Sequence, residues 1–367
     1  MRAGGRVRWA AATGVAALAA CGQGDPDAPA TSTPGPAAVE RAVAAYLDDA
    51  ALADVADVVV LRCGALVAEV ARGEEAGGYH DVFSVTKSVI SALVGAALAD
   101  GSLRGLDQTL PELLPAYAAT MGPDAAATTL EQLLTMTAGY PDDSEAPAHG
   151  PDADWVAGAL ARLDRPSGGP FAYANDAAHL VAAALREATG MPVLAYARRV
   201  LLDPLGIPSE PALEPLAEPF SFPAYEAAGF AWPVDPQGVH TGAAWLKLRT
   251  RDLAAIGQLH LDGGRHDGVQ VLPAAWVAAA TSAQVTAGGA ARAYGYLWWV
   301  DPDEGSYAAI GHGGQRVEVV PARAAVVAVS TRRRLDAEDR PPVEHRETAG
   351  LVDAVLAALP GGPCGDD

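Results

Sequence analysis

Phe83-Ser84-Val85-Thr86-Lys87-Ser88-Val89-Ile90 opens an apolar run that continues to Ala99, and its reading as a helix with Ser-x-x-Lys at the start decides the rest. Residues three apart share a helix face, so Ser84 Oγ and Lys87 Nζ meet without help from elsewhere. A serine in the first turn also sits at the positive end of the helix dipole, where free N–H groups favour a developing alkoxide or oxyanion. A serine hydroxyl needs a base to take its proton, and a desolvated lysine can be that base. Val85, Val89 and Ile90 supply an apolar surround. The expectation is that Ser84 is a nucleophile; the bland alternative is a surface lysine one turn after a capping serine.

Composition sharpens the motif. The chain has two lysines, Lys87 and Lys247, among 25 basic residues, and 12 serines. Ser-x-x-Lys is then expected by chance about 0.07 times. Arginine stays protonated near any working pH whereas a buried lysine can lose its proton, so a chain that otherwise chooses arginine has a chemical reason for lysine here.

At the N-terminus, Arg2, Arg6 and Arg8 precede an apolar run from Trp9 to Ala20 that is too short for a membrane span. Residues 1–20 are therefore expected to be a secretory signal. Leu18-Ala19-Ala20-Cys21 resembles the bacterial lipobox, which implies that Cys21 is lipidated and anchors the chain to a membrane on the extracytoplasmic side. Residues 21–38 are rich in Pro, Gly, Ser and Thr and read as a tether. The remaining cysteines, Cys63 and Cys364, would lie in a compartment that permits a disulfide, although spacing alone does not pair them. Formal net charge is −20, which argues against nucleic acid as a partner, since that needs a basic face.

Residues 39–53 have the pattern of an amphipathic helix, and 55–61 and 66–70 that of strands turning at Cys63-Gly64. After the Ser84 helix comes a long helical middle punctuated by Pro and Gly. Strands return at 294–300, 307–310, 316–320 and 324–330, and a helix closes the chain at 342–359. The expected fold class is α/β (α+β): an antiparallel sheet with flanking helices, built from residues 39–100 and 285–360, and an all-helical domain, 101–284, inserted between them. Residues 361–367 form a tail.

Two further stretches lie on loops or strand entrances. Phe171-Ala172-Tyr173-Ala174-Asn175 follows a Gly/Pro-rich lead and precedes a helix, where Asn175 alone could be a cap and Tyr173 a packed aromatic. Ile310-Gly311-His312-Gly313-Gly314-Gln315-Arg316 sets glycines beside a histidine, as expected where another backbone or a ligand comes close. In this order, Ser-x-x-Lys, Tyr-x-Asn and His-Gly-Gly resemble the serine β-lactamase and penicillin-binding superfamily, especially its class C β-lactamase and esterase branch. Residues 129–139 and 203–207 are also similar to the family, and the resemblance spans roughly residues 40–358.

The resemblance implies a β-lactamase/transpeptidase-like fold and a serine hydrolase with an acyl-enzyme on Ser84. It implies that Lys87 and Tyr173 share proton handling, without saying which is the base. Asn175 would bond Lys87 and the acyl side of the substrate. Backbone N–H groups of Ser84 and Gln315 would form the oxyanion hole. His312 would line the leaving-group side, and Gly313 and Gly314 would belong with it to the substrate-binding and oxyanion stretch. No cofactor or metal is expected: His240, His260 and His266 have no ligand spacing.

The departures bear on substrate. His312-Gly313 stands where the family's Lys-Thr would grip a carboxylate, and a histidine is only partly charged near neutrality. Esters or amides lacking that carboxylate are therefore the expected substrates, with poor β-lactamase activity. Strand alternation puts Arg316 on the side of His312, where it is either an anion contact or a solvated arginine. A D-amino-acid peptidase, D-Ala carboxypeptidase or weak β-lactamase is the alternative enzyme, and a non-catalytic binding lipoprotein the alternative of another class. Of Trp298-Trp299, one indole is expected in the core and one at the cleft edge. Tyr140 is a further candidate for the cleft lining, and His179 is expected in packing or on the surface.

Overall fold

The computed structural model describes residues 36–48, 52–73, 76–141, 153–163, 165–215, 222–288, 292–332, 343–360 and 364. The expected leader and Cys21 lie outside them. In chain order the elements are α1 (Pro36–Tyr46), β1 (Val55–Arg62), β2 (Ala65–Ala71), β3 (Tyr79–Asp81) and α2 (Val85–Ala99). The middle holds α3 (Leu110–Leu113), α4 (Pro123–Ala127), α5 (Leu130–Leu134), α6 (Trp155–Ala161), α7 (Asn175–Thr189), α8 (Val193–Ala197) and α9 (Phe222–Ala227). Then follow β4 (Lys247–Arg249), α10 (Thr250–Leu261), β5 (Arg265–His266), β6 (Val269–Gln270) and α11 (Ala274–Ala280). The chain closes with β7 (Val285–Gly288), β8 (Arg292–Tyr294), β9 (Trp299–Asp301), β10 (Ser306–Gly311), β11 (Gln315–Val320), β12 (Ala325–Thr331) and α12 (His345–Ala358).

Eight strands form one sheet in the order β2-β1-β12-β11-β10-β9-β8-β7, and every pair in it is antiparallel. The two ends of the chain meet where β1 pairs with β12, Val59 opposite Ala328. All seven residues of β12 are buried, because both faces of the sheet are covered and side chains alternate between them. Val326 and Ala328 face one core, with α2 and α10, while Val327 and Val329 face another, with α1 and α12. Gly257 of α10 lets the helix approach closely, since a Cβ there would come within 2.6 Å of Val326 and 2.8 Å of Val317.

Several boundaries differ from the sequence reading. The first helix starts at Pro36, inside the expected tether, and ends at Tyr46 rather than 53; Pro at the first helical position needs no N–H donor. The expected strand 294–300 is two strands, because the chain turns between Tyr294 and Trp299: Gly295 N–H bonds Trp298 O at 2.8 Å and Leu297 has φ +61°. Within 101–284 the structure also contains β4, which pairs with β3, and the small hairpin β5–β6. In that same span α10 packs on β11, β12 and β1. A disulfide joins Cys63, at the turn after β1, to Cys364 beyond α12.

Candidate active site

Ser84 is set by the two segments that flank it. Strand β3 pairs with β4, Asp81 opposite Lys247, and Val82 N–H bonds Leu246 O. Phe83 then takes a left-handed backbone, φ +45°, held by its N–H to Asp81 Oδ1 at 2.8 Å. A bulky residue in that region is strained, and such strain persists only where the surroundings impose it. The reversal delivers Ser84 as the N-cap of α2, half-buried, with its hydroxyl making no capping bond. That hydroxyl is therefore available to Lys87.

Lys87 is fully buried in the first turn. Its Nζ lies 3.0 Å from Ser84 Oγ, 2.8 Å from Asn175 Oδ1 and 2.8 Å from Ala243 O. Burial pushes the Lys87 ammonium down to about 7. When charged, the amine donates to all three oxygens. When neutral it has two N–H, matched by the amide and carbonyl oxygens, which have no proton to give, and one lone pair, left for the Ser84 O–H. The environment thus prepares a base aimed at one hydroxyl.

Asn175 opens α7, and the loop before it is braced from below. Ala172 N–H bonds Met136 O, Gly168 N–H bonds Thr137 O, and a Cβ on Gly139 would lie 2.4 Å from Arg165 O. The stretch 129–139 is thus the shelf for the Tyr173 loop. Tyr173 hydrogen bonds with Ser84, and its ring lies 4.8 Å from Lys87 Nζ. Burial raises its phenol to about 12, against the lowering effect of the Ser84 bond, so it is protonated near neutrality. Trp299 stacks on Tyr173 at 5.6 Å and lines the cleft, while Trp298 is fully buried.

Sequence reasoning missed Ala243. Its signal was Gly242: a Cβ there would sit 2.2 Å from Ala178 O on α7, so this loop is pressed against the helix that carries Asn175. The late motif forms a tight turn after β10, with His312 exposed at the rim and edge-on to Phe83 at 5.4 Å. Gly311 abuts the other motif; a Cβ on it would come within 3.1 Å of Ser84 N.

Three expectations need correction or completion. Arg316 is neither solvated nor a free anion contact: it is buried and its Nη1 bonds Glu318 Oε2 at 2.6 Å, both side chains lying on one strand face. Tyr140 is in the core, its hydroxyl donating to Ala159 O. His179 is buried and pairs with Asp235 at 3.0 Å. Among the described residues no cluster of His, Cys, Asp or Glu could hold a metal.

Ser84, Tyr173, Trp299, His312 and Arg316 line a single cavity of about 980 Å³ that runs along the sheet to Val352 on α12. A volume of this size suits a small-molecule ligand. The profile of the Beta-lactamase family matches residues 39–350. The chain belongs to the Beta-lactamase family. Its fold is β-lactamase/transpeptidase-like, and solved structures similar to it include hydrolases and penicillin-binding-protein homologues. SurE with D-Leu is 25% identical over 90% of this chain and 78% of its own, with a TM-score of 0.65. EstCE1, a hydrolase with promiscuous acyltransferase activity, is 18% identical over 88% and 99%, with a TM-score of 0.66. A D-stereospecific amidohydrolase from Streptomyces sp. is 19% identical over 88% and 98%, with a TM-score of 0.62. No protein of curated function matches the sequence.

Proposed function

We infer that this protein is an exported, lipid-anchored serine hydrolase that forms an acyl-enzyme on Ser84 and acts on esters or amides. The observation that carries the reading is the surroundings of Lys87: two acceptors without protons and one hydroxyl, in a site that lowers the amine to about 7. Lys87 takes the Ser84 proton as Oγ bonds the substrate's carbonyl carbon. The carbonyl oxygen, now negative, is held by the N–H groups of Ser84 and Gln315. Tyr173, protonated and bonded to Ser84, is placed to pass a proton to the leaving group as the scissile bond breaks. Tyr173 regains its proton from the Lys87 ammonium; Lys87 then takes a proton from the water that attacks the acyl carbon, and that proton returns to Ser84 Oγ as the acyl bond breaks. Between the two candidates for base, the lowered amine is favoured over a phenol raised to about 12.

His312-Gly313 offers no fixed cation, and Arg316 is committed to Glu318, which supports esters and amides without a carboxylate next to the scissile bond. Nitrocefin should be turned over poorly. A second reading, cleavage at a D-amino acid, is favoured by the likeness to SurE with D-Leu; D-leucine p-nitroanilide against its L-isomer separates the two. Export is supported by the Cys63–Cys364 disulfide, and the anchor by the Leu18-Ala19-Ala20-Cys21 sequence. Membrane extraction and mass of the processed N-terminus test both.

The deciding experiment is hydrolysis of p-nitrophenyl acetate and butyrate by the protein and by Ser84→Ala, with intact mass taken during turnover. An acyl adduct and steady release, both lost in S84A, are expected. A folded protein with neither adduct nor release would leave the binding-lipoprotein reading in its place.

A further inference from the structure

The oxyanion donor at Gln315 sits at the end of a turn that has little stiffness of its own. Gly313 and Gly314 have φ of +73° and +89°, a backbone that glycine enters freely and leaves as freely. The donor at Ser84 has no such problem, since Gly311 is seated directly on Val82 O and Ser84 N. Something else must fix the second donor.

The Gln315 side chain is fully buried and is bonded entirely to Thr331, the last residue of β12. Its Nε2 donates to Thr331 O at 2.9 Å and to Thr331 Oγ1 at 2.8 Å, and its Oε1 accepts from Thr331 N at 3.1 Å. The Thr331 hydroxyl in turn donates to Gly313 O at 2.7 Å. Both carboxamide protons and the hydroxyl proton are therefore spent in a directed chain from Gln315 through Thr331 to Gly313, each bond polarising the next. That chain ties both ends of the flexible pair Gly313-Gly314 to a buried central strand.

We propose that Thr331 is a positioning residue: its hydroxyl latches the Gly313–Gln315 turn and so sets the direction of the Gln315 N–H toward the substrate's carbonyl oxygen. This rests on the reading of Ser84 as the acylated nucleophile. Valine matches threonine in shape but lacks the hydroxyl, leaving Gly313 O without its donor while the Gln315 bonds to the Thr331 backbone survive. Serine keeps the hydroxyl.

The test compares Thr331→Val and Thr331→Ser in the full-length protein, reading kcat and KM for p-nitrophenyl butyrate and inhibition by phenylboronic acid, which forms a tetrahedral adduct on a serine. T331V should lower kcat about tenfold or more with KM within about twofold, because the donor acts on the transition state. Its Ki for phenylboronic acid should rise by a similar factor, and T331S should stay within about threefold of the parent on all three readouts. Circular dichroism and thermal melting check folding. If T331V does not fold, Thr331→Ala, which also lacks the hydroxyl and keeps the Thr331 backbone groups that Gln315 bonds, is read the same way. A T331V with parental kcat and Ki, a loss confined to KM, or a T331S as impaired as T331V would overturn the latch. A parent protein that forms no adduct at Ser84 would overturn the hydrolase reading and the latch with it, whereas a labelled parent matched by T331V overturns the latch alone.

Discussion

The chain's two lysines occupy similar positions and do opposite things. Both are buried, both place Nζ against three oxygens, and both lie near a tyrosine ring, Tyr173 at 4.8 Å and Tyr225 at 5.3 Å. Lys247 donates to the carbonyls of Tyr225, Glu226 and Ala228 at 3.0, 3.0 and 2.7 Å, closing the end of α9 onto β4. Carbonyl oxygens have no proton to give, so through these three bonds Lys247 acts as a clamp. Among these contacts, where Lys247 has a third carbonyl, Lys87 has the Ser84 hydroxyl. Burial alone does not make a base; the exchange of one acceptor for a proton donor does.

The largest effects should separate the two positions completely. Lys87→Arg keeps a cation that cannot deprotonate, and Lys87→Met removes the amine; both should lower kcat by a factor on the order of a thousand or more while the fold persists. Lys247→Met should do the reverse. It strands three buried carbonyls and should cost about 2–4 kcal/mol in urea unfolding, with kcat per folded molecule changed only a few-fold. Active-site titration with a fluorophosphonate, set beside the unfolding curves, measures both. A Lys247→Met that folds normally and loses turnover would erase the distinction.

The Lys87 side of this comparison was readable in the sequence because helix geometry is local: a spacing of three brings Ser84 and Lys87 together whatever surrounds them. The sheet built from both chain ends was readable too, since β1 and β12 are long, apolar and β-branched. What could not be read is carried by the backbone. The acceptor at Ala243 is a carbonyl, and every residue has one; only Gly242 hinted that its loop was pressed against α7. The left-handed Phe83 and the break at Gly295 are likewise imposed by tertiary contacts against local preference. Strand alternation puts Arg316 on the cleft face, and the same alternation puts Glu318, two residues on, beside it as its partner. Tyr140 lies in the core and not in the cleft, a difference that sequence does not carry, because an aromatic after a glycine reads alike for both.

A smaller effect follows from the lowered Lys87 ammonium. Below about pH 7 the amine is protonated and cannot take the Ser84 proton, so kcat/KM should fall roughly tenfold per pH unit under that limb and level off above it. Stability carries the same signature with its own sign. Between about 7 and the usual lysine value of 10.5 the unfolded chain holds a proton that the folded chain has released, so unfolding free energy should rise with pH across that window. Thermal melts of the parent and Lys87→Met from pH 7 to 10 should show this slope in the parent and its loss in the variant. Equal slopes would mean that Lys87 titrates as an ordinary exposed lysine.

The smallest effect concerns the rings beside the two lysines. Tyr225 is buried outright and its hydroxyl is fixed to Trp245 O at 3.0 Å, so the ring near Lys247 has nowhere to go. Tyr173 borders the cleft, and one of its supports is the face of Trp299, stacked at 5.6 Å with the planes 17° apart. Trp299 also packs edge-on against Tyr294 at 4.9 Å, so the stack is held from behind. Trp299→Leu keeps an apolar side chain but removes the flat surface, and an aromatic pair of this kind contributes about 0.5–1.5 kcal/mol beyond its area. The Tyr173 hydroxyl would then spend part of its time away from Ser84, and kcat should fall roughly three- to tenfold. KM should rise by a similar or smaller factor, because Trp299 also lines the cavity. Adding Tyr173→Phe to Trp299→Leu separates the two contributions: if Trp299 acts on turnover through the tyrosine hydroxyl, its effect on kcat disappears once that hydroxyl is gone, while its effect on KM remains.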